Sequence, residues 1–210
     1  MLLTELQFLP SLHYFGCVNT WSRLLIEGEE HYNKGSFRNR IVINSNQGSR
    51  FYTIPLQQGK NQGMPIQKVE ISFDEDWKGH LMKTLQTEYG KYPYFEIYFE
   101  DLWSLLDTTP PHYLFSMSFK VLKWIMEILE MTPPKITTKY QTNPEAPIVD
   151  FRDRITPALY RSQSHLMTRQ KIGYFDYIPG HTILECFFAY GPETIWLLRR
   201  YSESINVRNR

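Results

Sequence analysis

The sequence predicts an α/β or α+β protein built on a mixed sheet, with a β-hairpin in the N-terminal half and helices mainly in the C-terminal half. Three observations lead there. Short apolar and β-branched runs, including a hairpin pattern, cluster early in the chain. Longer runs with helical spacing and capping signals follow them. No internal repeat or low-complexity tract interrupts the series, and strands followed by helices read as layered α/β architecture.

The elements follow in order. Leu2–Phe8 alternates as a first strand, and Pro10-Ser11 opens a short helix with Ser as its cap. Arg23–Glu27 is an apolar run stopped by Gly28 and reads as a strand. Phe37–Asn44 and Arg50–Leu56 flank the turn Ser45-Asn46-Gln47-Gly48 and pair as a hairpin. A polar loop, residues 57–65, leads to a strand at Ile66–Ser72. Ser72-Phe73-Asp74-Glu75 has the form of a capping box, and Phe73, Trp77, Leu81, Leu85 and Tyr89 recur on one helical face until Gly90. Helices are predicted at Pro93–Leu106 and His112–Glu130, separated by Pro110-Pro111, with a strand at Ile136–Tyr140. Residues 141–149 read as a linker or long loop, and 158–180 as an irregular or short helical excursion. Thr182-Ile183-Leu184-Glu185 is a second capping-box pattern, starting a helix to about Tyr190; Gly191-Pro192 ends it and Glu193–Tyr201 forms another.

A chain of 210 residues is expected to form one domain spanning 1–210, with 141–180 as an excursion or lid. The net charge of +1 argues against a dedicated nucleic-acid binder, which needs a basic excess; any anion site must be local. Cys17 and Cys186 stand in unrelated contexts, which fits a reducing compartment and neither a disulfide framework nor a thiolate metal site. The opening residues lack a signal-peptide pattern and no window is long enough to span a bilayer, so the expected location is cytoplasmic. No dinucleotide, phosphate-loop, zincin or nucleophile-elbow motif is present, so no cofactor and no metal are expected.

The segment His31–Arg40, HYNKGSFRNR, concentrates the chemistry. If residues 37–43 form a strand, Arg38 and Arg40 share a face about 7 Å apart and can grip a phosphate or carboxylate. Lys34 and Gly35 precede them in a loop, and Asn33, Ser36 and Asn39 add hydrogen-bonding groups. The competing reading is a solvated basic edge paired with Glu27, Glu29 and Glu30. His80, at the edge of its helix's apolar face, is the candidate acid–base residue, and Glu185 the second catalytic candidate. Asp150, Arg152, Asp153 and Arg154 could add polar groups to a pocket or form surface ion pairs.

Six segments in order resemble the WbqC-like family: LQFLPSLHYF, residues 6–15; Ile26-Glu27 with HYNKGSFRNR; YTIPL with the later IQKVEI; WKGHLMKTLQTEYGKYPYFEIY, residues 77–98; DFRDRITP, residues 150–157; and ILECFFAYGPE, residues 183–193. Lys34, Ser36, Asn39, Arg40, Trp77, His80, Tyr89, Pro93, Gly191, Pro192 and Glu193 match the family pattern. Glu5-Leu6 replaces the usual Gln-Pro, His31 and Asn33 stand where amides are common, Gly35 replaces a larger residue, and Glu185 replaces Asp. Members of this family occur in O-antigen and other surface-polysaccharide gene clusters. The resemblance implies a transferase that moves an amino-acid or acyl group onto a sugar in lipopolysaccharide assembly. On that reading a small anionic donor sits on Lys34, Arg38 and Arg40. The alternative is a non-catalytic protein that binds an anionic ligand or partner at the same residues. The oligomeric state is left open.

Overall fold

The protein is described by a computed structural model covering residues 1–57, 61–107 and 112–208. The Pro110-Pro111 break and Gln58, Gly59 and Lys60 of the polar loop lie outside the described residues.

The central element is a four-stranded, all-parallel sheet in the order β5-β2-β1-β6. It comprises β1 (Leu2–Thr4), β2 (Leu24–Ile26), β5 (Lys135–Ile136) and β6 (Val149–Asp150). Leu2, Leu3, Leu24 and Ile26 are buried, so the middle pair of strands forms the floor of the core. Helix α1 (Leu12–Val18) joins β1 to β2, and Ser11 caps it by accepting the Tyr14 N–H at 3.0 Å. The predicted hairpin is present as β3 (Arg40–Ile43) and β4 (Arg50–Thr53), in antiparallel register. Gly48, at φ +95, supplies the left-handed residue of its turn. A second hairpin, β7 (Gln170–Ile172) with β8 (Phe175–Tyr177), lies in the stretch expected to be irregular.

Helices α2 (Trp77–Tyr89), α3 (Phe95–Leu105), α4 (Leu114–Ile128), α5 (Pro157–Ser162), α6 (Leu184–Tyr190) and α7 (Thr194–Arg208) wrap this frame. The four-residue spacing on α2 buries Trp77, Leu81, Leu85 and Tyr89 as predicted, with Gly90 as the C-terminal stop. Phe73 does not join them: it lies outside the helix and is 45% exposed, because the cap is Asp76, whose Oδ1 accepts the Gly79 N–H. Ser72 instead bonds Asp74 in a local turn. Residues 66–68 form a 3-10 turn where a strand was expected; only isolated bridges at Glu70 and Ile71 retain the extended character. The second capping box also fails. The cap of α6 is Ile183, with no side-chain bond, and Glu185 turns elsewhere.

Candidate functional site

The carboxyl ends of all four parallel strands open on one side of the sheet. The chain runs from β1 to β2 to β5 in one direction, and β6 then adds on the far side of β1. Strand order therefore reverses between β1 and β6, the position where open α/β sheets leave a crevice for ligand. A cleft of about 800 Å³ lies at these strand ends, lined by Glu29, Glu30, Asn33, Arg38, Arg152 and Asp153 among others.

Three of the four strands deliver a carboxylate or a basic group just beyond their last residue, and β5 delivers the Thr137 hydroxyl. Glu5 follows β1, and its Oε2 accepts the Asp153 N–H from the segment after β6 at 2.9 Å. Glu27 follows β2 and is fully buried. It accepts from the Thr137 hydroxyl, the Gln141 N–H at 3.0 Å and Arg152 Nη1 at 3.0 Å. Arg152 is held in turn by both Asp150 oxygens, at 2.9 and 2.6 Å, and stacks over Tyr140 at 4.8 Å. Glu30, farther along the same loop, receives Arg38 through two N–H bonds, and Arg38 Nη1 reaches Asp153 at 2.9 Å.

The cleft is thus acidic overall, with Arg38 and Arg152 already neutralised by carboxylates. Burial raises the Glu5 carboxyl above its ordinary value, against the pull of Arg38. Burial also pushes Glu30 up to about 7; the Arg38 bonds and charge pull the other way, and the Glu5 and Asp153 charges add to the rise. Glu30 therefore exchanges its proton near neutral pH, the condition a general acid–base group needs.

The sequence matches the WbqC-like protein family over residues 7–176. The chain belongs to that family. No curated protein and no solved structure matches it. The matched span contains Glu27, Glu30, Arg38, Arg152 and Asp153, and leaves out Glu5, His181, Glu185 and the resemblance at residues 183–193.

The residues that the sequence marks as candidates for the site do not gather at one point. Asn33 and Arg38 line the cleft, and Lys34 is exposed next to Asn33 with its N–H bonded to Gln62. Ser36 is buried and donates to the Asn33 carbonyl at 2.6 Å, so it shapes the loop. Asn39 is buried, donating to the Ile54 carbonyl at 2.8 Å and accepting from the Tyr32 hydroxyl at 3.0 Å; it ties the loop to the hairpin. The expected strand begins only at Arg40, because residues 37–39 form a turn, and the shared face of Arg38 and Arg40 disappears with it. Arg38 enters the cleft. Arg40 lines a separate small cavity beside Ser11, Tyr160 and Thr182, where its Nε and the Thr182 hydroxyl lack partners among the described residues. His80 is exposed on α2 and does not line the cleft.

Glu185 belongs to a second polar cluster at the tip of the hairpin. Its Oε2 lies 2.7 Å from His181 Nδ1 and 3.5 Å from the Tyr89 hydroxyl. His181 Nε2 lies 2.8 Å from Ser49 Oγ, and the Tyr89 hydroxyl accepts the Asn44 N–H at 2.8 Å. His181 precedes Glu185 by four residues, the one sequence signal for this contact.

A third cavity, of about 600 Å³, holds His13, Cys17 and His165. Burial pushes the Cys17 thiol up to about 12, so it stays protonated and does not act as a nucleophile. Among the described residues no cluster of His, Cys, Asp or Glu could hold a metal ion, and no helix is long and apolar enough to cross a membrane.

Proposed function

We propose that this member of the WbqC-like family is a group-transfer enzyme that moves an amino-acid or acyl group onto a sugar in surface-polysaccharide assembly, working in the cleft at the carboxyl ends of the parallel strands. The observation that carries the reading is Glu30: a buried carboxyl held near pH 7 in a cleft of about 800 Å³ at the sheet's switch point. An acceptor amine or hydroxyl enters among the carboxylates and gives its proton to Glu30 as it bonds to the acyl carbon; the donor's bond from that carbon to its leaving oxygen breaks, and Glu30 passes the proton to the departing oxygen. The acidic lining favours an amine, whose ammonium form it attracts before deprotonation.

The donor is a small molecule carrying phosphate or carboxylate. Arg38 is bound to two carboxylates, so its remaining N–H groups orient the donor while Lys34, exposed and without an ion-pair partner among the described residues, supplies the net positive charge. Asn33 adds a hydrogen bond from the same loop. His80 stands outside the cleft and takes no part; Arg40, on β3, lines the separate small cavity. Cytoplasmic placement and the absence of nucleic acid among its ligands belong to the same proposal.

The test is incubation with aminoacyl or acyl donors and amino-sugar acceptors, read by product mass. Wild type and His80→Ala form product, Glu30→Gln loses at least a hundredfold in rate, and Lys34→Ala raises the donor KM. Normal turnover in Glu30→Gln would overturn the role of the cleft. Donor that binds but stays intact in every mixture would favour the reading as a binding protein.

A further inference from the structure

We propose that Ser49, His181 and Glu185 form a nucleophilic centre that takes an acyl group from an ester or thioester onto the Ser49 hydroxyl. The chemistry follows from which atoms can donate. A carboxylate only accepts, so the 2.7 Å contact to Glu185 places the proton on His181 Nδ1. In its neutral form the ring then has its lone pair on Nε2, and the 2.8 Å contact makes the Ser49 hydroxyl the donor to it. Nucleophile, base and orienting carboxylate are thus joined in the order that activates a serine.

Burial divides the three as this role requires. His181 and Glu185 are 1% and 5% exposed, while Ser49 is exposed on the hairpin turn. His181 is held at both backbone sides: its N–H donates to the Ile178 carbonyl at 3.1 Å and its carbonyl accepts the Leu12 N–H at 3.1 Å. The imidazole therefore has a fixed position beneath a hydroxyl that solvent reaches. The preceding Gly48 leaves space as well, since a Cβ there would meet nothing within 4 Å. The centre is distinct from the cleft. Arg38 precedes β3 and Ser49 follows its far end, and a four-residue strand alone spans about 13 Å.

In the reaction, Ser49 Oγ bonds to the acyl carbon as its proton passes to His181 Nε2. The carbon–oxygen or carbon–sulfur bond of the donor breaks, and His181 returns the proton to the departing alkoxide or thiolate. Water then attacks the acyl-serine by the same route, releasing the carboxylic acid and restoring the Ser49 hydroxyl. Glu185 acts as a positioning residue throughout, fixing the ring and its tautomer.

The experiment treats the full chain with a fluorophosphonate probe and with p-nitrophenyl acetate, mapping the adduct by peptide mass. One adduct on Ser49 is expected, forming at least tenfold faster than at the exposed Ser162, together with esterase activity. Ser49→Ala, a surface change that leaves the fold intact, abolishes both. Glu185→Gln slows labelling by tenfold or more. Glu30→Gln labels as wild type does, so failure of the cleft reading and failure of this one are read separately. A folded wild type with no adduct, a Ser49 rate equal to that of Ser162, or undiminished hydrolysis by Ser49→Ala would each overturn the proposal.

Discussion

Arg38 and Glu30 share two parallel bonds, Nε to Oε1 at 2.9 Å and Nη2 to Oε2 at 2.5 Å, with side chains 2% and 6% exposed. A guanidinium buried this deeply is tolerated because the carboxylate matches its fork. Removing Arg38 leaves the Glu30 carboxyl buried without its partner, to stand as an unpaired charge or take up a proton. Arg38→Met is therefore expected to lower unfolding free energy by about 3 kcal/mol or more. Replacing Glu30 by Leu in the same chain should recover part of that loss, because an apolar pair carries no desolvation penalty. Urea unfolding of the single and double variants checks both. A loss below about 1 kcal/mol in Arg38→Met would mean the pair lies effectively in water.

Two groups make stability depend on pH in opposite directions over nearly the same range. Burial lowers His13 from 6.5 to about 4, with the nearby His165 adding to the shift. The unfolded chain thus binds the extra proton first, and the His13 contribution, complete above pH 6.5, is lost as pH falls through about 4. Glu30 is raised from 4.5 to about 7, so its folded form holds the extra proton. That contribution is complete below pH 4.5 and is lost as pH rises through about 7. Glu30→Gln should therefore destabilise more steeply than wild type on acidification from pH 7 to 4.5, while His13→Gln should flatten the acid side. Melting temperatures across pH 4–8 read both slopes, and identical slopes in all three chains would refute the assignment.

The elements that sequence made legible are those whose pattern is local. The hairpin around Ser45–Gly48, the Ser11 cap and the α2 stripe from Trp77 to Tyr89 each depend on residues close in the chain, and each is present. The failures depend on distant partners. Glu185 stands at a capping-box position, yet a buried histidine four residues upstream and the Tyr89 hydroxyl from another helix claim its carboxylate. Ile66–Ser72 has strand composition, but it finds only isolated bridges, at Leu56 and Tyr113, and cannot form a ladder. The site divides the same way. HYNKGSFRNR lies in the loop that reaches the cleft, and of the three glutamates just upstream Glu30 pairs with it. What the sequence could not display is that Asp153 and Arg152, more than a hundred residues away, arrive at the same place through a parallel strand pairing.

Gly16 is expected to resist even the smallest side chain. A Cβ there would sit 2.6 and 2.7 Å from Tyr201 ring carbons, where α1 packs against α7. Within a helix, Gly→Ala ordinarily gains about 1 kcal/mol. Here overpacking should reverse the sign, and Gly16→Ala should lose about 1–3 kcal/mol. Chemical denaturation decides it: a stabilised variant would show that the two helices separate easily.

Tyr89→Phe separates structure from chemistry at the hairpin tip. The Tyr89 hydroxyl accepts the Asn44 N–H at 2.8 Å, where β3 ends, and it lies 3.5 Å from Glu185. Its removal leaves a half-buried N–H without its partner and should cost about 1 kcal/mol. Glu185 keeps its shorter bond to His181 at 2.7 Å, so the ring stays in place and Ser49 retains its acceptor. The variant should therefore unfold at lower denaturant while labelling at Ser49 stays within twofold of wild type. Had the His181–Glu185 pair served only to pin the hairpin, the variant and Glu185→Gln would differ in stability alone. A tenfold gap between their labelling rates, with both chains folded, assigns the pair to the serine.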